Sequence, residues 1–199
     1  MSKQLPVMEQ FYTIQGEGRY AGTPAYFIRL GGCNIGCHWC DVKESWDGNA
    51  YPKITVDQIV NQIPEKARLV IITGGEPCEH DLTDLTTKIK SKGIQINLET
   101  SGAYEIKGYF DWICLSPKKQ KLPLDSSLKK AHELKVVIYN QNDFQFAENF
   151  TKKVSSSCKR YLQVEWSKRN ELKNQVIRYA MENPVWNVST QIHKYLNIR

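Results

Sequence analysis

Three of the six cysteines in this 199-residue chain, Cys33, Cys37 and Cys40, fall within eight positions of the loop "GGCNIGCHWCD". Thiolates at such density bind soft metals or clusters, not hard cations. A zinc ribbon or finger needs four ligands, normally in two separated pairs. The second pair is missing here, because Cys78, Cys114 and Cys158 stand alone. His38 is a possible fourth zinc ligand, but it sits between two of the thiols, and wrapping all four groups around one ion from so short a loop is strained. Three thiolates at spacing Cx3Cx2C suit a cubane [4Fe-4S] cluster that keeps its fourth iron open to a ligand. Cys114 lies inside an apolar run and reads as a small core residue.

Three further stretches carry binding chemistry: "TGGEP" (73–77), "ETSG" (99–102) and "SPK" (116–118). Gly74 and Gly75 allow close backbone approach, Glu76 brings a carboxylate, and the others bring hydroxyls and a lysine. Each follows an apolar run rich in branched residues, and the cysteine loop follows another. The runs at 25–30, 68–73, 94–100, 111–116, 133–139 and 160–165 read as buried strands. Between them, segments 55–63, 80–93, 141–154 and 168–183 carry apolar residues at helical spacing, with Thr55 placed to cap the first and Gly93 to end the second. Alternating strands and helices imply right-handed crossovers and a mostly parallel sheet, open or curled toward a barrel, with ligands collecting at the strands' C-terminal ends. All four chemical loops fall at those ends.

Composition narrows the class. With 24% charged and 41% hydrophobic residues and no linker or repeat, residues 1–199 are expected to form a single domain. The balance of 27 basic and 21 acidic residues is mild, and the basic groups are scattered, so nucleic acid is not implied. No apolar run has the length of a signal peptide core or a membrane span, so a cytoplasmic protein without a membrane partner is expected. In that reducing compartment clustered cysteines bind metal or do chemistry sooner than they form disulfides.

"CNIGCHWC" resembles the CxxxCxxC motif of the radical S-adenosylmethionine superfamily, including the aromatic Trp39 before the last cysteine, and "TGGEP" resembles its second signature. The stretch "EQFYTIQGEGRYAGTPAYFIRLGGCNIGCHWCD", together with "ETSG", "SPK" and "QIHKYLNIR", is similar to the 7-carboxy-7-deazaguanine synthase family, with little recognisable over 103–111 and 120–160. The resemblance implies a compact α/β fold, a partial (β/α) barrel of about six mostly parallel strands. It implies a lyase that converts 6-carboxy-5,6,7,8-tetrahydropterin into 7-carboxy-7-deazaguanine with loss of ammonia, on the route to queuosine and related 7-deazapurines. It also implies a [4Fe-4S] cluster on Cys33, Cys37 and Cys40, S-adenosylmethionine chelated to the open iron, and a 5′-deoxyadenosyl radical that takes hydrogen from C6 of the pterin.

By the same resemblance Trp39, Cys40, Asp41, Gly75, Glu76, Ser116, Pro117, Lys118 and Gln163 are expected at the cofactor, and Ile14, Gln15, Gly16, Arg29, Thr73 and Arg199 at the substrate, the last through its carboxylate. Arg29 offers the planar cationic fork that a pterin carboxylate suits, and "IQGEG" offers donors and acceptors to the pterin edge. Magnesium is implied too, although Val42 replaces the threonine that supplies a ligand in many members, and valine has no oxygen for a hard cation. The expected partners are a flavodoxin or ferredoxin as reductant and a second copy in a homodimer, with Tyr179, Trp186 and Tyr195 as interface candidates. His38, His80, His132 and His193 are acid or base candidates by type alone. A glycyl-radical-enzyme activase is the rival enzyme, disfavoured by "QGEG" with Arg29. A zinc-dependent nucleic-acid-binding module is the rival from another class; anaerobic purification separates it, since a cluster protein is brown and a zinc protein colourless.

Overall fold

The protein, a computed structural model that describes residues 3–199, is built on one nine-stranded sheet in the order β3-β1-β2-β4-β5-β6-β7-β8-β9. Its strands are β1 (Gln4–Ile14), β2 (Pro24–Leu30), β3 (Lys53–Thr55), β4 (Leu69–Gly74), β5 (Gln95–Thr100), β6 (Trp112–Leu115), β7 (Glu133–Ile138), β8 (Lys159–Val164) and β9 (Trp186–Ser189). From β2 to β9 every neighbour is parallel, whereas β1 pairs antiparallel with both β2 and β3. The sheet does not close, because β3 and β9 are left as its two edges. All six expected strands are present, and three more join them. The 11-residue β1 escapes a period-two reading because the register shifts between Val7 and Glu9, so apolar side chains change phase midway, and because Pro6 interrupts the run.

Helices α1 (Val56–Asn61), α2 (Thr83–Ser91), α3 (Asp125–Lys130), α4 (Asn142–Thr151) and α5 (Arg169–Glu182) connect the strands, and the short α6 (Ile192–Leu196) follows β9. Thr55 caps α1 in a reciprocal box with Gln58, and Gly93, at φ +70°, follows α2 in the left-handed region. Alternation along the strands sorts side chains by face. Outward, Ile28, Val70, Ile72, Ile96, Leu98 and Ile113 pack with α1 and α2, while Leu115, Leu134, Val136, Ile138 and Leu162 pack with α4 and α5. The inward set starts apolar, with Ala25, Leu69 and Ile71 against Phe27, and turns polar beyond β4. Asn97, Glu133, Lys135, Gln163 and Ser189 are all buried there.

Cys114 and Cys158 are buried, as is Cys78, and all six thiols are free. Tyr179 and Trp186 both donate to Glu148 Oε1, at 2.8 and 2.7 Å, and belong to the core under α5; Tyr195 alone of the three aromatic candidates is exposed. Among the described residues no helix is long and apolar enough to cross a membrane.

Candidate active site

The loops that follow β2, β4, β5 and β6 meet at one rim around a cavity of about 300 Å³. Cys33, Cys37 and Cys40 line it together, with Trp39, Asp41, Gly75, Glu76, Ser116, Lys118 and Gln163. Ile14, Gln15, Gly16, Arg29, Thr73 and Arg199 line it as well. Pro117 is buried beside Ser116 and Lys118 but is not part of the wall.

The cysteine loop is held from outside itself. Gly32 N and Cys33 N donate to the carbonyls of Ser45 and Trp46, at 2.7 and 3.1 Å, and Glu79 accepts from Asn34 N at 2.7 Å and from its side-chain amide at 3.0 Å. The "TGGEP" loop presses directly against it: Glu76 N donates to Gly32 O at 2.9 Å, and a Cβ on Gly75 would stand 2.4 Å from Gly32 O and 2.7 Å from the Cβ of Cys33. Glycine is required at 75 by that contact. Burial pushes the Cys33 thiol above its ordinary value, with Glu76 and Glu79 adding to the rise and loop amides opposing it. Cys37 is raised by burial too, against the pull of the Lys118 cation. Burial in turn lowers Lys118, whose Nζ donates to Ser116 O and Oγ at 2.8 and 2.7 Å and stands 5.3 Å from the centre of the Trp39 ring. Proton-bearing thiols beside a buried cation become better ligands once deprotonated by a metal, and their grouping on one wall fits a cluster.

Glu76 is almost fully buried, and four protein donors occupy its carboxylate: Cys78 N at 3.0 Å and Thr100 Oγ1 at 2.6 Å on one oxygen, Ser101 N at 2.8 Å and Ser101 Oγ on the other. It thereby ties the loop after β4 to the loop after β5.

Arg29 donates through Nε to Glu9 at 2.7 Å, which leaves its terminal nitrogens as the donors for a ligand. Glu9 is shared, since its other oxygen pairs with Arg199, whose guanidinium also lies 4.7 Å from the centre of the Phe11 ring. Gln15 is fixed at both ends of its amide: Oε1 accepts from Glu17 N at 3.1 Å and Nε2 donates to Glu99 at 3.2 Å. A Cβ on Gly16 would fall 2.1 Å from Nδ1 of His193, so glycine admits that ring to the wall. Burial keeps His193 below its ordinary pKa, with Glu17 and Asp41 opposing.

Several wall residues were not singled out from sequence. Lys135 reaches Glu17 at 2.6 Å and Glu99 at 2.9 Å, and Gln191 donates to Glu17 at 2.9 Å. Burial opposes the ionised Glu17, but Lys135, then Gln191 and Gln163, bring it down to about 2. Burial likewise opposes the charge of Lys135, but Cys114, Glu17, Glu99 and Glu133 hold it well above the ordinary lysine value. A signal did exist, in the lysine of "ELKVVI" and the glutamate of "INLET", each a charge within an apolar run.

The chain has close relatives. A model of the radical SAM superfamily matches residues 27–113. The 7-carboxy-7-deazaguanine synthase of Flavobacterium psychrophilum is 53% identical over 196 residues, covering 98% of this chain and 93% of the relative. That of Synechocystis sp. is 45% identical, over 98% and 93% of the two chains. That of Escherichia coli K12 is 32% identical, over 98% and 99%. Among solved structures, the crystal structure of QueE from Escherichia coli superimposes with a TM-score of 0.86 at 30% identity, covering 94% of both chains.

Proposed function

Because the chain belongs to the 7-carboxy-7-deazaguanine synthase family, within the radical S-adenosylmethionine superfamily, we propose that it converts 6-carboxy-5,6,7,8-tetrahydropterin into 7-carboxy-7-deazaguanine with release of ammonia. One observation carries this reading: a single cavity has three thiols on one wall and, on the others, a cation for a carboxylate and a carboxylate for an N–H edge. Cys33, Cys37 and Cys40 would hold the [4Fe-4S] cluster, and Trp39, Asp41, Gly75, Ser116, Lys118 and Gln163 would surround S-adenosylmethionine. Bound together, cluster and cofactor supply a one-electron cleavage that yields a carbon radical able to take hydrogen from the substrate. Glu76 acts on the cofactor side as an organiser of its two loops, since its own acceptor sites are filled.

The chain's residues do the positioning. Arg29 receives the pterin carboxylate through its terminal nitrogens, kept in plane by Glu9. Glu99, braced by Gln15 and Lys135, faces the amino-pyrimidinone edge, whose adjacent N–H groups match a carboxylate. Ile14, Gly16 and Thr73 complete this wall, and the segment from Gln191 to Arg199 covers it and excludes water. The side chains offer little to a resident magnesium: Val42 has no oxygen, and one oxygen of Asp41, Oδ2, is engaged by Lys194 at 3.0 Å and by Gln191 at 3.5 Å, which leaves only Oδ1. A magnesium ion would be held mainly by oxygens of the substrate and water, with Asp41 Oδ1 beside them, and no step is drawn through it.

The electron comes from an external flavodoxin or ferredoxin, a reading supported by Cys78, Cys114 and Cys158 standing far apart in the sequence with no second cluster spacing. Residues 1–199 work as one radical SAM domain. A homodimer is supported by the exposed Ile177, Met181, Val185 and Val188 on α5 and beside the open edge of β9. The cytoplasm supplies the reducing conditions that free thiols need. The test is to reconstitute the cluster anaerobically, add dithionite, S-adenosylmethionine and the carboxy-tetrahydropterin, and seek deazaguanine by mass. Formation of 5′-deoxyadenosine without deazaguanine overturns the substrate assignment.

A further inference from the structure

Lys135 sits in the middle of β7 with its side chain 6% exposed, in a strand whose outward residues are Leu134, Val136 and Ile138. An ammonium so placed is retained against a large desolvation cost only by well-made ion pairs. It has two, to Glu17 at 2.6 Å and to Glu99 at 2.9 Å. These carboxylates come from the loop after β1 and from β5, separate parts of the chain that both line the cavity. Two carboxylates against one ammonium leave the cluster with a net negative charge, which favours a ligand that presents N–H donors there.

Each remaining group in the network has a fixed direction. The Gln15 amide cannot flip, because its oxygen accepts from Glu17 N, so its nitrogen must donate to Glu99. Lys135 and Gln15 bind different oxygens of Glu99. That bracing fixes the plane of the carboxylate, which is what an approaching pair of N–H groups reads. Glu17 passes the constraint on: its second oxygen accepts from Gln191 at 2.9 Å, and Ile192 N donates to Gly16 O at 3.0 Å. Among the described residues α6 buries no side chain, so the segment is held over the cavity chiefly by such polar contacts.

Resting on the pterin reading above, we propose that Lys135 is a positioning residue whose single ammonium aligns Glu99 for the substrate's N–H edge and, through Glu17, fastens the C-terminal segment over it. Its ammonium is taken up by Glu17 and Glu99 and stands apart from the thiol loop in the fold, so its loss acts on substrate binding more than on radical generation.

The test uses the reconstituted holoenzyme and measures KM and kcat for the carboxy-tetrahydropterin, the substrate-independent formation of 5′-deoxyadenosine, and hydrogen exchange at Ile192. In Lys135→Met, KM rises about 10- to 100-fold, the loss expected for a charge-assisted hydrogen bond. Meanwhile kcat falls less, substrate-independent cleavage stays near wild type, exchange at Ile192 accelerates, and Lys135→Arg recovers most of the KM. Should Lys135→Met not fold, the double variant Glu17→Gln with Lys135→Gln removes one charge of each sign, keeps the net charge, and is expected to show the same rise in KM. A wild-type KM in these variants overturns the role of Lys135, and unchanged exchange at Ile192 overturns its link to the C-terminal segment. If the wild-type enzyme itself makes no deazaguanine, the underlying substrate reading has failed instead.

Discussion

The inner face of the sheet is two surfaces. On β2 and β4 it is apolar, with Ala25, Phe27, Leu69 and Ile71, and on β5 to β9 it is polar, with Asn97, Glu99, Glu133, Lys135, Gln163 and Ser189. The change occurs across one ladder step, where Ile71 pairs with Asn97. The apolar half needs only matched volumes. The polar half must satisfy every buried donor and acceptor, and does so with linked pairs such as Ser189 Oγ to Gln163 at 2.7 Å and Trp112 Nε1 to Glu133 at 3.0 Å. Packing is therefore concentrated on the apolar half, whereas recognition is shared: Arg29 and Thr73 line the cavity from the C-terminal ends of β2 and β4, next to the thiol loop, and Glu99 and Lys135 line it from the polar half.

The largest effect is expected at that loop: Cys37→Ser should remove the broad absorbance near 400 nm of the reconstituted protein and abolish product, while circular dichroism of the metal-free chain is retained. Gly75→Ala should come next, because its methyl meets Gly32 O at 2.4 Å; cluster content and S-adenosylmethionine cleavage should both drop severely. On the apolar half, Ile71→Ala should cost about 2–5 kcal/mol in urea unfolding yet leave KM for the pterin near wild type. A raised KM there would show that the two halves are not separable.

On the polar half, acidity is the probe. Glu17 is held at about 2 against an ordinary 4.5, so its contribution is fully present above pH 4.5 and is lost as pH falls toward 2. The integrated effect is at most about 3 kcal/mol, and Glu17→Gln should flatten stability over that window. The smallest effect belongs to Lys194→Ala at the rim, where an ion pair to the exposed Asp41 at 3.0 Å is worth less than about 1 kcal/mol.

The same division governs what the amino-acid order reveals. The parallel strands were legible because their outward residues, such as Val70 and Ile72 in "LVII" and Val136 and Ile138 in "KVVI", must be branched and apolar to pack under helices. The cysteine loop and "TGGEP" were legible because their chemistry is local: spacing alone places three thiols together, and glycine marks a close approach. Lys135 was not, and Glu99 was legible only as part of the binding stretch "ETSG" and not as its partner, since whether a charge inside an apolar run faces a cavity depends on the phase of a strand and on partners far away. Strand β1 stayed hidden behind its register shift, and the pairing of Glu17 with Gln191 spans 174 positions, beyond any local pattern.

That separation bears on when the enzyme comes into being. Residues 191–199 supply one wall of the cavity and dock on Glu9, Thr13, Gly16 and Glu17 near the other end of the chain. A ribosome-bound chain that has emerged only as far as β8 can already pair most of its sheet, yet it has no such wall. Productive substrate binding is thereby deferred until residues 191–199 have been made, and cleavage ahead of Gln191 would weaken that binding without unfolding the sheet, since none of these residues lies in a strand.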